Sequence, residues 1–592
     1  MGEQFQNLVD MFEKSVERYA ANPLFGVKEG GEYKWITYKD VGQQVKGLRG
    51  GLSALGVGKG DTVAIIANNS PAWAAGAYAT YGLAARYVPM YEAQLAKDWK
   101  YIINDSGAKV LIVANDLIAE KCKDFVEELE TLEFIVNIAG PESDAHSFAG
   151  LIKTGLATPV DPIYPEKDDI CGLIYTSGTT GMPKGVLLSH WNLTSNVNAV
   201  HEVFPMDQTD RSLSFLPWAH SFGQTVELHT LLSYGASMGL AESVQTIIQN
   251  LTEVKPSLLF SVPRIFNRIY DGVHKKMAAE GGLKKTLFER TLTVANKRRA
   301  LAQDNKSSAL LDLQFKVLDK LVGQKIRDRF GGRLRYAFSG GAALSKEVAI
   351  FIDNLGITVY EGYGLTETSP ICTVNCPDGQ RIGSIGRAIP GVEIKIIPFE
   401  SAPEGQGEIV VYGPNVMKGY HNLPKETEET FTEDGGFKTG DMGHVDADGF
   451  VWITGRVKEQ YKLENGKYVV PAPLEEKLKL SGYIANIMIH GVNKPYNVAV
   501  IVPDVEMLAS WAKDKGLSYD NDEALIKIDG VEALINEEIQ KYGKDFKGYE
   551  RPRKFVLTAE DFTTENDMLT PSMKIKRRKV LETYEAALNG LF

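Results

Sequence analysis

At 592 residues the chain is far beyond the ~250–300 at which a single hydrophobic core stops growing, so at least two domains are required. Its 44% hydrophobic and 24% charged residues exclude a disordered, collagen-like or small disulfide-rich protein, and a formal net charge of -11 weighs against nonspecific nucleic-acid binding. Four cysteines, of which only Cys372 and Cys376 are close together, match neither a zinc ribbon nor a disulfide framework and fit a reducing, cytoplasmic compartment.

The opening MGEQFQNLVDMFEKSVERY lacks a basic leader and a continuous apolar run, and reads as an amphipathic helix. No stretch reaches the ~18 nearly uncharged apolar residues of a membrane span, so any membrane contact is peripheral. From residue 62, TVAIIA, SPAWAAGAYATYGLA, RYVPM, QLAKDWKYIINDSG and KVLIVA alternate strand-like and helix-like patterns, which predicts a parallel sheet with helices on its faces. SLLFSV, LRYAFSG and ITVYEGYG repeat the rhythm later, as layers of one large α/β region. No proline interrupts the chain between Pro263 and Pro370, and Leu311, Phe315, Leu318, Val322, Ile326 and Phe330 recur at spacings of three and four, one face of a long amphipathic helix. After Gly379 short β-like pieces dominate (GVEIKIIPF, GEIVVYGP, GFVWITGR), and a boundary falls near Arg456 to Lys458. The remaining residues, 457–592, suffice for a small α+β domain.

Within this frame YTSGTTGMPKG at 175–185 packs hydroxyls and glycines around Lys184, offering backbone N–H groups, O–H donors and a positive charge to phosphate oxygens. It is not a Walker A loop, which requires Gly and Ser or Thr where this chain has Pro183 and Gly185. Taken alone it reads as a phosphate cradle or as a surface linker.

Four further motifs follow in order: EGYGLTETSP at 361–370, KTGDMG at 438–443, GRVKE at 455–459 and LTPSMKIKRR at 569–578. Together with the loop they resemble the adenylate-forming superfamily of acyl-CoA synthetases, luciferases and peptide-synthetase adenylation domains, over nearly the whole chain. The resemblance implies an α/β protein with a large multi-layer N-terminal domain, 1–456, of mostly parallel sheets. That domain would carry a helical insertion at about 275–332 and a β-rich part at about 380–456, and a small mobile α+β domain, 457–592, would follow it. It also implies the reaction: a carboxylate attacks the α-phosphorus of ATP to give acyl-AMP and pyrophosphate, and a thiol then displaces AMP. The first step needs no base, since a carboxylic acid of pKa ~4–5 is ionised at neutral pH, but it needs positive charge and fixed donors around the phosphates.

Carried over residue by residue, the resemblance implies that Thr176, Ser177, Gly178, Thr179, Thr180, Gly181 and Lys184 hold the ATP phosphates. Gly340, Gly341 and Ala342 of SGGAAL, with Glu361, Gly362, Tyr363 and Gly364, would surround the adenosine, Tyr363 lying on the base. Thr366 would bind the α-phosphate and Glu367 would ligate Mg2+, while Asp441 and Arg456 would take the ribose. Lys574 would bridge carboxylate and α-phosphate, with the neighbouring Lys576 as its rival; the PSMK context is one associated with long-chain acyl-CoA synthetases. Lys458 would be the hinge about which the C-terminal domain swings between half-reactions, and Gly466 would leave room for the pantetheine of coenzyme A. His220 and Trp218 of FLPWAHSFG read equally as acyl-pocket lining or as core. No residue in the sequence stands out as a base for the thiol. The helical insertion favours a long-chain fatty acid, with ATP and coenzyme A as co-substrates. A medium-chain or aryl-CoA ligase, a ligase loading a carrier protein, and a nucleotide-binding regulatory protein with a dead site stay open. Peripheral membrane contact and a homodimer stay open as well; no nucleic-acid partner is expected.

Overall fold

Ser70 accepts a hydrogen bond from the Trp73 N–H, and Pro71 occupies the first turn, so the helix Pro71–Tyr81 starts where sequence chemistry demands. Its Ala-rich surface is buried nearly all round, as expected of a helix inside a layered protein. A Thr37/Asp40 capping box opens Tyr38–Ala54 in the same way. The strand Thr62–Ile66 is buried at every position, the pattern of a parallel strand covered on both faces.

The computed structural model describes residues 4–176, 182–303, 306–570 and 574–592. They form two compact units. The first comprises the chain to Lys395 with Val410–Lys438 and Asp446–Val451, and the second Ile396–Ile409, Thr439–Val445 and Trp452–Phe592. The chain passes from one to the other within the strands Glu393–Ile397, Gly407–Tyr412, Phe437–Val445 and Val451–Arg456.

Among the described residues the first unit holds two large sheets, in keeping with the expected multi-layer domain of mostly parallel sheets. A seven-stranded sheet runs Gly419–Tyr420, Lys184–Ser189, Ile170–Thr176, Arg86–Met90, Thr62–Ile66, Ala108–Val113, Phe134–Asn137, with parallel pairing from Ile170–Thr176 onward. A nine-stranded sheet contains Leu258–Ser261, Tyr336–Ser339 and Thr358–Gly364 as parallel neighbours, with antiparallel strands at both edges. The expected long helix after residue 309 is a succession: α-helix Ala309–Leu318, a π-helical turn Asp319–Gly323, α-helix Gln324–Arg327 and a 3-10 turn Asp328–Phe330. Its expected inward face holds, with Leu318 and Phe330 buried and the other four positions half-buried.

In the second unit the strands Ile484–His490, Val498–Pro503 and Lys554–Leu557 form a sheet with an apolar cluster on each face. Helices Pro471–Leu478, Val505–Asp514, Val531–Tyr542 and Arg577–Asn589 surround it.

Candidate active site

The loop at 175–185 connects two neighbouring antiparallel strands, Ile170–Thr176 and Lys184–Ser189, with Thr176 opposite Lys184. It is therefore a hairpin connection, and no helix follows it until His190. Ser177, Gly178, Thr179, Thr180 and Gly181 lie outside the described residues.

Lys184 stands beside a residue that the motifs did not single out. Its ammonium lies 5.3 Å from the centre of the Tyr420 ring, and the Tyr420 hydroxyl donates to Glu367 Oε1 at 2.9 Å. Tyr420 is delivered there because Gly419–Tyr420 pairs antiparallel with Leu187 and Val186, two residues beyond Lys184. Burial, reinforced by the neighbouring Glu367 charge, holds the Tyr420 phenol well above its ordinary pKa, so it stays a donor. One aromatic side chain thus joins the lysine expected to hold phosphate to the carboxylate expected to face the metal.

Glu367 and Thr366 sit on a 3-10 turn, Thr366–Thr368, after the strand Thr358–Gly364. The turn is fastened from below. Thr368 Oγ1 accepts from the Leu365 N–H, Asn415 donates to the carbonyls of Thr368 and Ile371, and the Met417 N–H donates to the Glu367 carbonyl. Gly364 is required by close approach, because a Cβ there would overlap the Pro370 carbonyl oxygen. Thr366 is buried and its hydroxyl lies 3.3 Å from Ser221 Oγ.

His220 and Ser221 of the FLPWAHSFG segment immediately precede a π-helix, Phe222–His229. Buried Glu227 and half-buried Asn69 fasten this segment and the strand Arg211–Ser214 that precedes it. Glu227 accepts from Ser212 Oγ at 2.7 Å and Ser214 Oγ at 2.8 Å, and Asn69 bonds the Leu216 carbonyl and the Trp218 N–H. Burial pushes the Glu227 carboxyl up to about 7. Trp218 is fully buried in the main core, 5.6 Å from Trp73 and 5.5 Å from Phe25 between ring centres, whereas His220 is half-exposed.

Gly340, Gly341 and Ala342 follow the strand Tyr336–Ser339, beside Glu361 on its parallel neighbour. Glu361 is turned inward: it is buried and accepts from the Leu344 and Gly383 N–H groups at 3.3 Å each, and burial raises its carboxyl to about 7. It therefore fastens the SGGAAL segment to the strand that carries Gly362, Tyr363 and Gly364.

Within the second unit Arg456 Nε donates to buried Asp441 Oδ1 at 3.0 Å, so two of the motifs meet. Lys458 lies in a 3-10 turn, Val457–Glu459. Gly466 has φ +83° in the turn between Tyr461–Lys462 and Tyr468–Val469, which by itself accounts for glycine there. Lys574 is exposed, and its N–H and carbonyl both bond to Thr570. Lys576, two residues on, is tied to Asp567 at 2.5 Å.

Among the described residues no three His, Cys, Asp or Glu side chains gather as a metal cage. A single carboxylate, Glu367, does suit Mg2+, which is typically held by one or two carboxylates and shares its remaining positions with phosphate oxygens and water.

The family model of AMP-binding enzymes matches residues 12–421, and that of the AMP-binding enzyme C-terminal domain matches 458–592. The chain belongs to the AMP-binding enzyme family. Among relatives in this family, Long chain acyl-CoA synthetase 7, peroxisomal, of Arabidopsis thaliana is 30% identical, covering 99% of this chain and 86% of the relative. Long-chain-fatty-acid--CoA ligase 1 of Cavia porcellus has the same identity and coverage. Long-chain-fatty-acid--CoA ligase FadD15 of Mycobacterium bovis is 32% identical, covering 94% of this chain and 92% of its own. Solved AMP-binding folds agree with the architecture: an anthranilate CoA ligase in complex with anthranoyl-AMP (TM-score 0.74, 22% identity, 99% and 98% coverage), and the adenylation domain of a carboxylate reductase from Mycobacterium chelonae (0.77, 23%, 99% and 91%).

Tyr420, Ser221 and Glu227 were not singled out from the sequence. Ser221 adjoins a residue that was, His220, but Tyr420 reaches its partners only through strand pairing.

Proposed function

We propose that this AMP-binding enzyme is a long-chain fatty acid–CoA ligase that forms acyl-AMP from ATP and a fatty acid, then transfers the acyl group to coenzyme A. The observation that carries the acid class is the match over almost the whole chain to relatives named for long-chain acids.

In the first half-reaction a carboxylate oxygen forms a bond to the α-phosphorus while the bond to pyrophosphate breaks. Lys184, with the loop residues Thr176 to Gly181, holds the β- and γ-phosphates that leave. Thr366, backed by Ser221, donates to the α-phosphate, and Tyr420 fixes the Glu367 carboxylate. Mg2+, when bound at Glu367, neutralises phosphate charge. Gly340 to Ala342, Gly362, Tyr363 and Gly364 surround the adenosine, Glu361 supports them, and Asp441 with Arg456 takes the ribose. Lys574 bridges the reacting groups. The domain beginning at 457 turns about Lys458 for the second half, when the thiol sulfur bonds to the acyl carbon and AMP leaves, and Gly466 borders the pantetheine. Trp218 and His220 stand on the acyl side. The C-terminal family model begins at 458, in support of this boundary. A cytoplasmic location is supported by four free cysteines.

The test is pyrophosphate release across an acid panel, with and without coenzyme A. Specificity constants should rise from hexanoate to palmitate as methylenes enter an apolar site. A maximum at short or aromatic acids would overturn the acid class, and no acid-dependent release at all would indicate a dead site. Lys574→Ala should abolish acyl-AMP formation yet still convert supplied acyl-AMP and coenzyme A to thioester. Since Lys576 is already paired with Asp567, Lys576→Ala should leave adenylation within a few-fold of wild type.

A further inference from the structure

The helical succession 309–330 carries two apolar faces, and only one of them is used. Leu311, Phe315, Leu318, Val322, Ile326 and Phe330 turn inward. Leu310, Leu313, Val317 and Leu321, also at spacings of three and four, stand 67%, 61%, 54% and 47% exposed. Four large aliphatic side chains aligned on one exposed face are not the scattered single exposures normal for a protein surface.

The charges around this stripe are sorted. Asp312 and Asp319 lie on the opposite side of the helix, where Asp312 pairs with Arg298 at 2.6 Å and Asp319 with Arg327 at 2.6 Å. Lys316, Lys320 and Lys325 are exposed and, among the described residues, have no carboxylate within salt-bridge distance. At ~100° per residue Lys316 falls on one flank of the stripe, with Lys320 one turn further along the same flank. Residues 306–333 contain seven Lys or Arg against three Asp or Glu, in a chain of net charge -11. A partner recruited by general electrostatics would meet a negative protein; a partner meeting this face encounters leucines beside lysines.

We infer that the exposed stripe of the helix Ala309–Leu318 and the turn Asp319–Gly323 is a docking surface for an anionic lipid bilayer, lying in the plane of the interface. The apolar residues enter the acyl boundary while the lysine ammoniums remain among lipid phosphates. Such a surface would deepen the proposed function, because a long-chain acid partitions into bilayers and the enzyme would be held where that substrate is concentrated. It rests on that reading for its purpose but not for its existence, so the two are tested apart.

The experiment is co-sedimentation of the full chain, without substrates, with vesicles of phosphatidylcholine alone or with 30% phosphatidylglycerol, at low and high salt. Wild type should bind the anionic vesicles, more weakly as salt rises. Leu313→Ser with Val317→Ser, both at exposed positions, should lower the partition coefficient at least tenfold. Lys316→Glu with Lys320→Glu should remove the preference for anionic lipid. Wild type that fails to bind anionic vesicles, or variants that bind as wild type does, would overturn the proposal. Concentration-dependent self-association that the serine variant abolishes, with no vesicle binding, would assign the face to a second copy of the chain instead. Ligase activity measured in parallel on acid dissolved in detergent tests the proposed function separately, and the serine variant should keep it.

Discussion

Tyr420 does two things at once that neither phenylalanine nor a smaller hydroxyl residue would do: its ring lies beside Lys184 and its hydroxyl restrains Glu367. A hydrogen bond to a charged acceptor contributes about 1.5–3 kcal/mol. Tyr420→Phe, which keeps the ring, should therefore slow pyrophosphate release at saturating substrate by about tenfold or more, with KM for the acid little changed. A variant altered only in its melting temperature would make Tyr420 structural. Glu227 gives a prediction in pH. Its carboxyl ordinarily titrates near 4.5, and burial lifts it to about 7, so the folded state holds a proton that the unfolded state has released. The stability this supplies is fully present below pH 4.5 and is lost as pH rises to about 7, on the order of 3 kcal/mol in all. Glu227→Gln lacks that dependence while keeping an acceptor for one serine. In thermal melts from pH 5 to pH 8 the variant's melting temperature should therefore rise relative to wild type, and a constant difference would remove Glu227 as the source. None of this was legible from the chain. Glu227 sits in a mixed polar and apolar segment, FGQTVELH, with nothing in its spacing to show which side chain turns inward, and Tyr420 lies 53 residues from the carboxylate it bonds.

Elements were more readable, for a physical reason. Parallel strands covered on both faces leave unbroken apolar runs, and Thr62–Ile66, Arg86–Met90 and Ala108–Val113 stand where TVAIIA, RYVPM and KVLIVA put them. The helix after residue 309 was legible as an inward face but not as a broken one, since a π turn leaves side-chain periodicity almost intact. In the second unit the helix Arg577–Asn589 is anchored by Arg577, which donates through both terminal nitrogens to buried Glu475, with Glu459 at 3.6 Å. Removing one partner leaves a buried charge uncompensated, so Arg577→Gln should cost about 3–5 kcal/mol in chemical unfolding. A loss below about 1 kcal/mol would mean that water reaches Glu475. Glu459 adjoins the proposed hinge. Lys458→Pro fixes φ near -65° and removes an N–H, and it should let acyl-AMP form while thioester synthesis stalls. Equal rates for both half-reactions in that variant would move the hinge elsewhere.

For the molecule as a whole, the motifs carried the order of the site along the chain, whereas its depth came only with the coordinates: which carboxylates face inward, as Glu361 does, and which meet solvent or substrate. Relatives of this size invite recombination, and the family models suggest a clean joint between 421 and 458. The folded chain is divided differently, because Ile396–Ile409 and Thr439–Val445 belong to the same compact unit as Trp452–Phe592. A cassette cut at 457 and grafted onto another ligase would leave those two segments behind with the donor's remainder. The recipient would have to supply their counterparts from its own sequence. In such chimeras, yield should follow how well the recipient's segments at those two places match the donor's more than it follows overall identity. Carrying 396–409 and 439–445 across with the cassette is the variant that separates a failure of assembly from a failure of chemistry.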